Sequence, residues 1–224
     1  MVYRGFSKSV IGSREMNQDS ILVNNDRGLF AVADGVGGGV GGDVASKMAV
    51  DTINQMVQSP ADLKPAVVAA QEKIYNEAMS QHGAPVMGTT LTAVQLLGDS
   101  VHICHVGDSR CYLLRDRRLE LATEDHEFFD ESVQATVLGS YLGIPANEHP
   151  LQIMEDVVKI QPGDRLILCS DGLYRQIDEQ RIVELAYTLR DRPADLLESL
   201  CEEASLREYS DNVSVVYVEI EAEA

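Results

Sequence analysis

Hydrophobic and polar positions along this chain follow two periods, one typical of strands and one typical of helices. Apolar or alternating runs predict strands over residues 2–10, 20–24, 29–33, 90–97, 101–106, 110–115, 119–122, 165–169 and 213–220. After a glycine-dense loop, apolar residues recur every three or four positions from Ala45 to Met56, which predicts a helix beginning near Asp43. The same spacing predicts further helices over residues 62–82, 178–190 and 193–207.

The order of these elements indicates the fold class. Strands and helices come in adjacent groups rather than in strict alternation, which disfavours a parallel, doubly wound sheet. We therefore predict an α+β fold, a four-layer α-β-β-α sandwich of two antiparallel sheets flanked by helix pairs. The length of 224 residues suits a single domain spanning 1–224. Residues 125–150 lack a clean period, so we expect a functional loop or lid there with a little helix.

Charge and composition narrow the classes of partner. With 18 Lys and Arg against 36 Asp and Glu, the net charge of −18 argues against binding nucleic acid or an anionic membrane surface. We find no apolar run long enough for a membrane span and no apolar stretch of a secretory signal at the N-terminus. The four cysteines form no CxxC pair, which favours reduced thiols in the core. We expect a cytoplasmic protein, with a monomer as the default.

Aspartates recur where predicted strands end. They are Asp19, Asp34, Asp108, Asp125, Asp171 and Asp211. Each Asp-Gly pair, at Asp34 and Asp171, is by itself ordinary turn chemistry. As a set without nearby Lys or Arg, these carboxylates would repel one another if the fold brought them together, unless a divalent cation neutralised them. Oxygen ligands without His or Cys clusters favour Mg²⁺ or Mn²⁺.

Seven short segments together carry a family resemblance. They are REMNQD (14–19), ADGVGG (33–38), GTTL (88–91), VGDSR (106–110), DH (125–126), CSDGL (169–173) and SDNV (210–213). Each is weak alone, but in this order and across essentially the whole chain they resemble the metal-dependent protein phosphatase 2C family in its compact bacterial form.

The resemblance implies two stacked antiparallel sheets and a centre with two Mn²⁺ or Mg²⁺ ions. The implied ligands are Asp34, the carbonyl of Gly35, Asp171, Asp211 and, through water, Asp19. Asp34 would bridge the two ions. Asp125, shared with Asp171, would bind a third, weaker ion, whereas we expect a structural role for Asp108 in its turn.

The resemblance also implies an activity. Phosphoserine and phosphothreonine on proteins would be hydrolysed by a metal-activated water, with no covalent phosphoenzyme. Arg14 would bind the phosphoryl oxygens with its planar guanidinium. Phosphorylated proteins would be the substrates and a Ser/Thr kinase the functional counterpart.

The chain departs from the family pattern at the glycine-rich loop, where Gly39 stands in place of a His proposed to protonate the leaving group. A metal-bound water or His126 remains open as the general acid, although we expect His126 to be a structural partner of Asp125. Asp43 stands where Glu is usual, and the lid looks shorter.

Two alternative functions remain. One is a phosphatase dedicated to a single regulatory protein, of the anti-sigma-factor antagonist type. The other is a non-catalytic phosphoprotein-binding module, which is disfavoured because the metal carboxylates are retained.

Overall fold

The computed structural model describes residues 1–36, 40–145, 150–206 and 209–223. Within these residues it contains two five-stranded sheets, and every neighbouring pair of strands is antiparallel. The first sheet has the spatial order β1 (Val2–Val10), β12 (Val213–Glu221), β11 (Arg165–Cys169), β6 (Arg110–Arg115) and β7 (Arg118–Leu121). The second has the order β10 (Met154–Lys159), β5 (Ser100–Val106), β4 (Leu91–Leu97), β3 (Leu29–Asp34) and β2 (Asp19–Asn24).

Helices cover the outer faces of both sheets. The helices are α1 (Gly42–Met56), α2 (Leu63–His82), α3 (Asp171–Tyr174), α4 (Glu179–Thr188) and α5 (Pro193–Ser205). As the sequence predicts, α2 stops at Gly83, which has a left-handed φ of 65°. Among the described residues, no helix is both long and apolar enough to cross a bilayer. All four cysteines are buried and unpaired, as expected.

The period-two alternation of the strands builds the layers. In β3, Leu29 and Ala31 pack against α1 and α2, whereas Phe30 and Val32 pack between the sheets. In β12, Tyr217 likewise joins the core under α4 and α5, and its neighbours point to the opposite face. Three hydrophobic cores therefore separate four layers, which confirms the predicted α+β sandwich.

The segment 125–150 differs from its prediction. In place of a little helix, its described part contains a hairpin of β8 (Glu127–Asp130) and β9 (Ala135–Leu138). Both strands are too short for their alternation to be recognised, and Phe128 and Phe129 on β8 are exposed. The mostly exposed edge strand β10 and the one-turn helix α3 were also not predicted from the sequence.

Candidate metal and phosphate site

Two aspartates meet at one edge of the second sheet. Asp19 begins β2 and Asp34 ends β3, and the antiparallel register places them directly opposite each other. Ala33 and the residues before it in β3 are fully buried, whereas Asp34 is the first residue of the strand that emerges from the core. Strand pairing alone thus joins two of the predicted ligands.

The main chain around Asp34 is held by the GTTL segment. Its N–H donates to Thr90 Oγ1 at 3.0 Å, and its carbonyl accepts from the Thr90 N–H at 2.8 Å and from Thr89 Oγ1 at 2.9 Å. Gly35 follows in close quarters, because a Cβ there would lie 2.4 Å from the Gly42 carbonyl oxygen. Only glycine therefore fits at this position without displacing backbone.

Asp171 enters from the other sheet. It is the first residue of α3, directly after Ser170 at the end of β11. Ser170 Oγ donates to Asp19 Oδ2 at 2.8 Å, so one hydrogen bond links the edges of the two sheets. The CSDGL segment thereby places Asp171 beside the Asp19–Asp34 pair.

Asp211 and Arg14 come together through a loop held by Asn212. The Asn212 amide donates to the carbonyls of Ile11 and Met16 at 2.8 and 3.0 Å and accepts from the Gln18 N–H at 2.8 Å. This loop carries Arg14, whose Nη2 lies 2.5 Å from Asp211 Oδ2. From the sequence, Asn212 was only one letter of the SDNV segment. Its three hydrogen bonds to the loop that carries Arg14 are seen only in the structure.

A cavity of about 210 Å³ lies among these elements. Its lining includes four of the predicted site residues, Asp34, Gly35, Asp171 and Asp211. Asp19 lies beside the cavity, in contact with Asp34, and Arg14 lines a neighbouring depression that shares Gln18 with it. The structure thus brings these predicted residues into one region.

Burial and mutual repulsion raise the pKa values of the clustered carboxyls. Burial is the main cause in each case, and it raises the pKa of Asp19 to about 6. For Asp34, burial and then the charges of Asp19 and Asp171 raise the pKa well above its usual range. The pKa of Asp171 is also raised. Negative charge is therefore costly here, which is the condition that a bound cation relieves.

Two buried oxygens support the fit of a hard cation. Asp19 Oδ1 and Asp171 Oδ1 are inaccessible to solvent and have no hydrogen-bond partner among the described residues. A buried carboxylate oxygen without a donor is costly unless a cation serves it. Across the described ranges, however, no three His, Cys, Asp or Glu side chains already form a closed metal-binding group. The donor set fits Mn²⁺ or Mg²⁺, but as an open arrangement rather than a preformed cage.

Asp125 lies outside the lining of the cavity. Arg110 binds it with two guanidinium nitrogens, Nε at 3.1 Å from both carboxylate oxygens and Nη2 at 2.7 Å from Oδ2. His126 accepts from the Gly107 N–H through Nδ1 at 3.1 Å, and its ring packs 5.0 Å from that of His105. His126 thus contacts Gly107 and His105, whereas the partner of Asp125 is Arg110 and not His126 as expected. Gly39 lies outside the described residues.

Arg175 is a further residue of this site that was not among the predicted site residues. Its guanidinium contacts three carboxylates, those of Asp108, Glu127 and Asp171. All four residues line the cavity. The premise that no basic residue lies near the aspartates was therefore wrong, for Asp171 as for Asp125. The i,i+4 spacing of Asp171 and Arg175 was a signal in the sequence, but it required α3 to be recognised.

Comparison with known proteins agrees with this geometry. Residues 7–209 match the family model for "Protein phosphatase 2C". Over 92% of its length the chain is 31% identical to the serine/threonine protein phosphatase PstP of Mycobacterium tuberculosis, of which it spans 43%. It is 30% identical to the serine/threonine phosphatase stp of Listeria monocytogenes, covering 92% of this chain and 91% of that protein.

A solved structure provides the matching comparison of folds. The catalytic domain of PstP in complex with two manganese ions superposes with a TM-score of 0.85 at 30% identity, covering 99% of both chains. Six of the seven segments on which the resemblance rested contribute residues to the cavity lining, which also includes Glu127, Thr136, Leu138 and Arg175. The chain therefore belongs to the protein phosphatase 2C family.

Proposed function

We propose that this chain, as one catalytic domain, hydrolyses phosphoserine and phosphothreonine on proteins with the help of Mn²⁺ or Mg²⁺. The observation that carries the proposal is the meeting of Asp34, Asp171 and Asp211 at one cavity, with Arg14 paired to Asp211 at its border. Support comes from the family membership and from relatives named serine/threonine phosphatases.

Asp34, Asp171, Asp211 and the Gly35 carbonyl would hold two ions, with Asp19 behind them. When bound, the ions lower the pKa of water and offset charge on the phosphoryl group. Asp34 would be the ligand shared by the two ions, because it lies opposite Asp19 in the sheet register and lines the same cavity as Asp171. The orphaned oxygens of Asp19 and Asp171 would gain a partner.

Arg14 would orient the phosphate. Its side chain is half exposed, and the hydrogen bond it makes to Asp211 uses Nη2. The rest of its planar fork can donate to two phosphoryl oxygens, which Lys could not match in geometry. Asp211 in turn fixes Arg14 at the border of the cavity, so that phosphate binding and ion binding are adjacent.

The proposed partners follow from this chemistry. Phosphorylated proteins are the substrates, a Ser/Thr kinase is the functional counterpart, and the chain acts as a cytoplasmic monomer. A phosphatase dedicated to one regulatory protein remains the second candidate, and comparing the phosphoproteome with and without this protein separates a broad from a single-substrate role.

The direct test measures phosphate release from p-nitrophenyl phosphate and from a phosphothreonine peptide. We expect release to require Mn²⁺ or Mg²⁺ and to stop with excess EDTA. Arg14→Lys should lower kcat/KM by about 10- to 100-fold, as expected for a charged group that loses its bidentate geometry. Asp171→Ala should lose most turnover while remaining folded. Asp156→Asn, on the exposed edge strand β10, should keep the turnover of the wild type. Full activity in EDTA would refute the proposal.

A further inference from the structure

We infer that the Arg175 guanidinium is a built-in cation of this site that takes the place of a third metal ion. The centre would then hold two ions, and Asp125 would not be a metal ligand. The inference rests on the proposed function, because it assumes that Asp34, Asp171 and Asp211 hold the two ions.

Arg175 forms ion pairs with three carboxylates that line the cavity. Nη2 lies 3.0 Å from Asp108 Oδ2 and 2.5 Å from Glu127 Oε1, and Nε lies 3.0 Å from Asp171 Oδ2. The three carboxylates come from three separate elements: the loop after β5, the start of β8 and the start of α3. One planar cation therefore joins groups that would otherwise repel one another.

The surroundings fix Arg175 in this position. Arg175 is the residue that directly follows α3, and its guanidinium carbon lies 5.8 Å from the centre of the Tyr174 ring. The Tyr174 hydroxyl donates to the Asp108 carbonyl at 3.1 Å, so the same segment holds both the main chain and the side chain of Asp108. Its acidic partners are mostly buried, with exposed side-chain fractions of 11% for Asp108 and 21% for Glu127.

A second arginine removes Asp125 from the metal site. Arg110 binds both of its oxygens, stacks 3.7 Å from the centre of the Tyr174 ring and donates to the Tyr112 hydroxyl at 2.9 Å. The Asp125 side chain is only 15% exposed. A metal ion at Asp125 would have to displace a bidentate, well-packed guanidinium.

Charge explains why a third ion is not needed. Asp171 would use one oxygen toward the two ions, and its Oδ2 already has Arg175. A divalent cation at the same carboxylates would lie close to the guanidinium and be repelled by it. Unlike an exchangeable ion, Arg175 supplies its charge at every metal concentration.

The test is the number of Mn²⁺ ions bound by the full chain at Mn²⁺ concentrations up to the millimolar range. Free Mn²⁺ is measured by electron paramagnetic resonance. We expect two bound ions for the wild type and two for Asp125→Asn. Arg175→Met should bind a third, weaker ion, whereas Arg175→Lys, which keeps a positive charge, should bind only two. Arg181→Met is the matched control, since Arg181 pairs with Glu203 and Glu184 away from the cavity lining.

Thermal unfolding provides an independent readout. Arg175→Met should lower the Tm in EDTA and recover part of that loss in millimolar Mn²⁺, because the ion replaces the missing charge. Arg181→Met should lower the Tm equally in both conditions. If Arg175→Met does not fold, Arg175→Gln, which also removes the charge but keeps a polar side chain, takes its place in both measurements.

The outcomes separate the two proposals. Three ions bound to the wild type, falling to two in Asp125→Asn, would overturn the role inferred for Arg175. Two ions bound to Arg175→Met, with an equal loss of Tm in EDTA and in Mn²⁺, would overturn it as well. Mn²⁺ binding that is unchanged in Asp34→Asn would instead show that the proposed metal centre is wrong.

Discussion

Asp19 and Asp34 lie directly opposite each other across β2 and β3, so two acidic side chains share one sheet edge. Like charges facing each other across a ladder destabilise a sheet. The Ser170 hydroxyl donates to one oxygen of Asp19, and the other oxygen has no hydrogen-bond partner within the part of the chain that the structure describes. Repulsion between these two carboxylates therefore destabilises the metal-free fold, and a bound cation would relieve it.

That cost predicts opposite effects of Asp34→Asn with and without metal. In EDTA the variant should unfold at a higher temperature than the wild type, because one repelling charge is gone. A gain of 1 kcal/mol would raise the Tm by about 2–4 °C in a chain of this size. With Mn²⁺ the order should reverse, since ligand binding stabilises only the chain that binds it.

Differential scanning calorimetry with EDTA and with Mn²⁺ checks this prediction. Asp156→Asn, outside the cavity, serves as the control and should match the wild type in both conditions. A lower Tm for Asp34→Asn in EDTA would contradict the repulsion argument.

The raised carboxyl pKa values predict how stability depends on pH without metal. Burial raises the pKa of Asp108 to about 7 and that of Asp19 to about 6, so the folded state retains protons that the unfolded state has lost. Stability should then fall as the pH rises through this range. His105 acts in the opposite direction, because burial lowers its pKa to about 4 from an ordinary 6.5.

The opposing effect of His105 fades above pH 6.5, because the unfolded His105 loses most of its remaining charge there while the folded His105 is already neutral. In EDTA we expect the Tm to fall as the pH is raised from this point through about 7, the folded-state pKa of Asp108. Asp108→Asn should make the decline shallower. A Tm that rises over the same interval would show that these carboxyls are not protonated in the metal-free fold.

Asn212 is expected to couple stability to phosphate binding. Asn212→Ala removes its bonds to Ile11, Met16 and Gln18 and should cost about 1–3 kcal/mol in the free energy of unfolding. Because the freed loop carries Arg14, the KM for a phosphothreonine peptide should rise as well.

Urea unfolding and steady-state kinetics measure the two effects. Asn54→Ala is the matched control, since its side-chain amide oxygen accepts hydrogen bonds from Asn24 and Arg27 in another part of the fold. The control should lose stability without a change in KM. An unchanged KM in Asn212→Ala would show that Asn212 does not position Arg14 for phosphate binding.

Gly35→Ala tests the close approach of main chains at the site. The added Cβ would lie 2.4 Å from the Gly42 carbonyl oxygen and 2.8 Å from that of Gln18, so backbone must move. We expect a loss of about 1–3 kcal/mol in stability from overpacking. Mn²⁺ affinity should fall by about 10- to 100-fold as the ligands shift.

Isothermal titration with Mn²⁺ provides the affinity, and Gly98→Ala provides the control. Gly98 has a φ of 62°, and an added Cβ would meet no atom of the described residues within 4 Å. Its replacement should cost about 1 kcal/mol through the backbone alone and leave Mn²⁺ binding intact. Equal Mn²⁺ affinity in both variants would show that Gly35 does not shape the site.

Local pattern was enough to predict most of the fold. Apolar runs such as those of β3 and β12 identified strands buried on both faces. Grouped helices with one apolar face indicated the sandwich, because burial leaves a recognisable pattern in the sequence. The weakly patterned parts escaped prediction. The strands β8 and β9 have only four residues each, and β10 is a mostly exposed edge strand.

The sequence by itself determined which acidic residues this protein has and that they stand at the ends of strands. Only the tertiary structure decided which of them share a cavity and which positive charges serve them. Arg110 takes Asp125 and Arg175 joins Asp108, Glu127 and Asp171, although most of these partners are distant in the chain. Ion pairing depends on distances in space, and a hydrophobic period contains no information about which exposed or half-buried charges will meet.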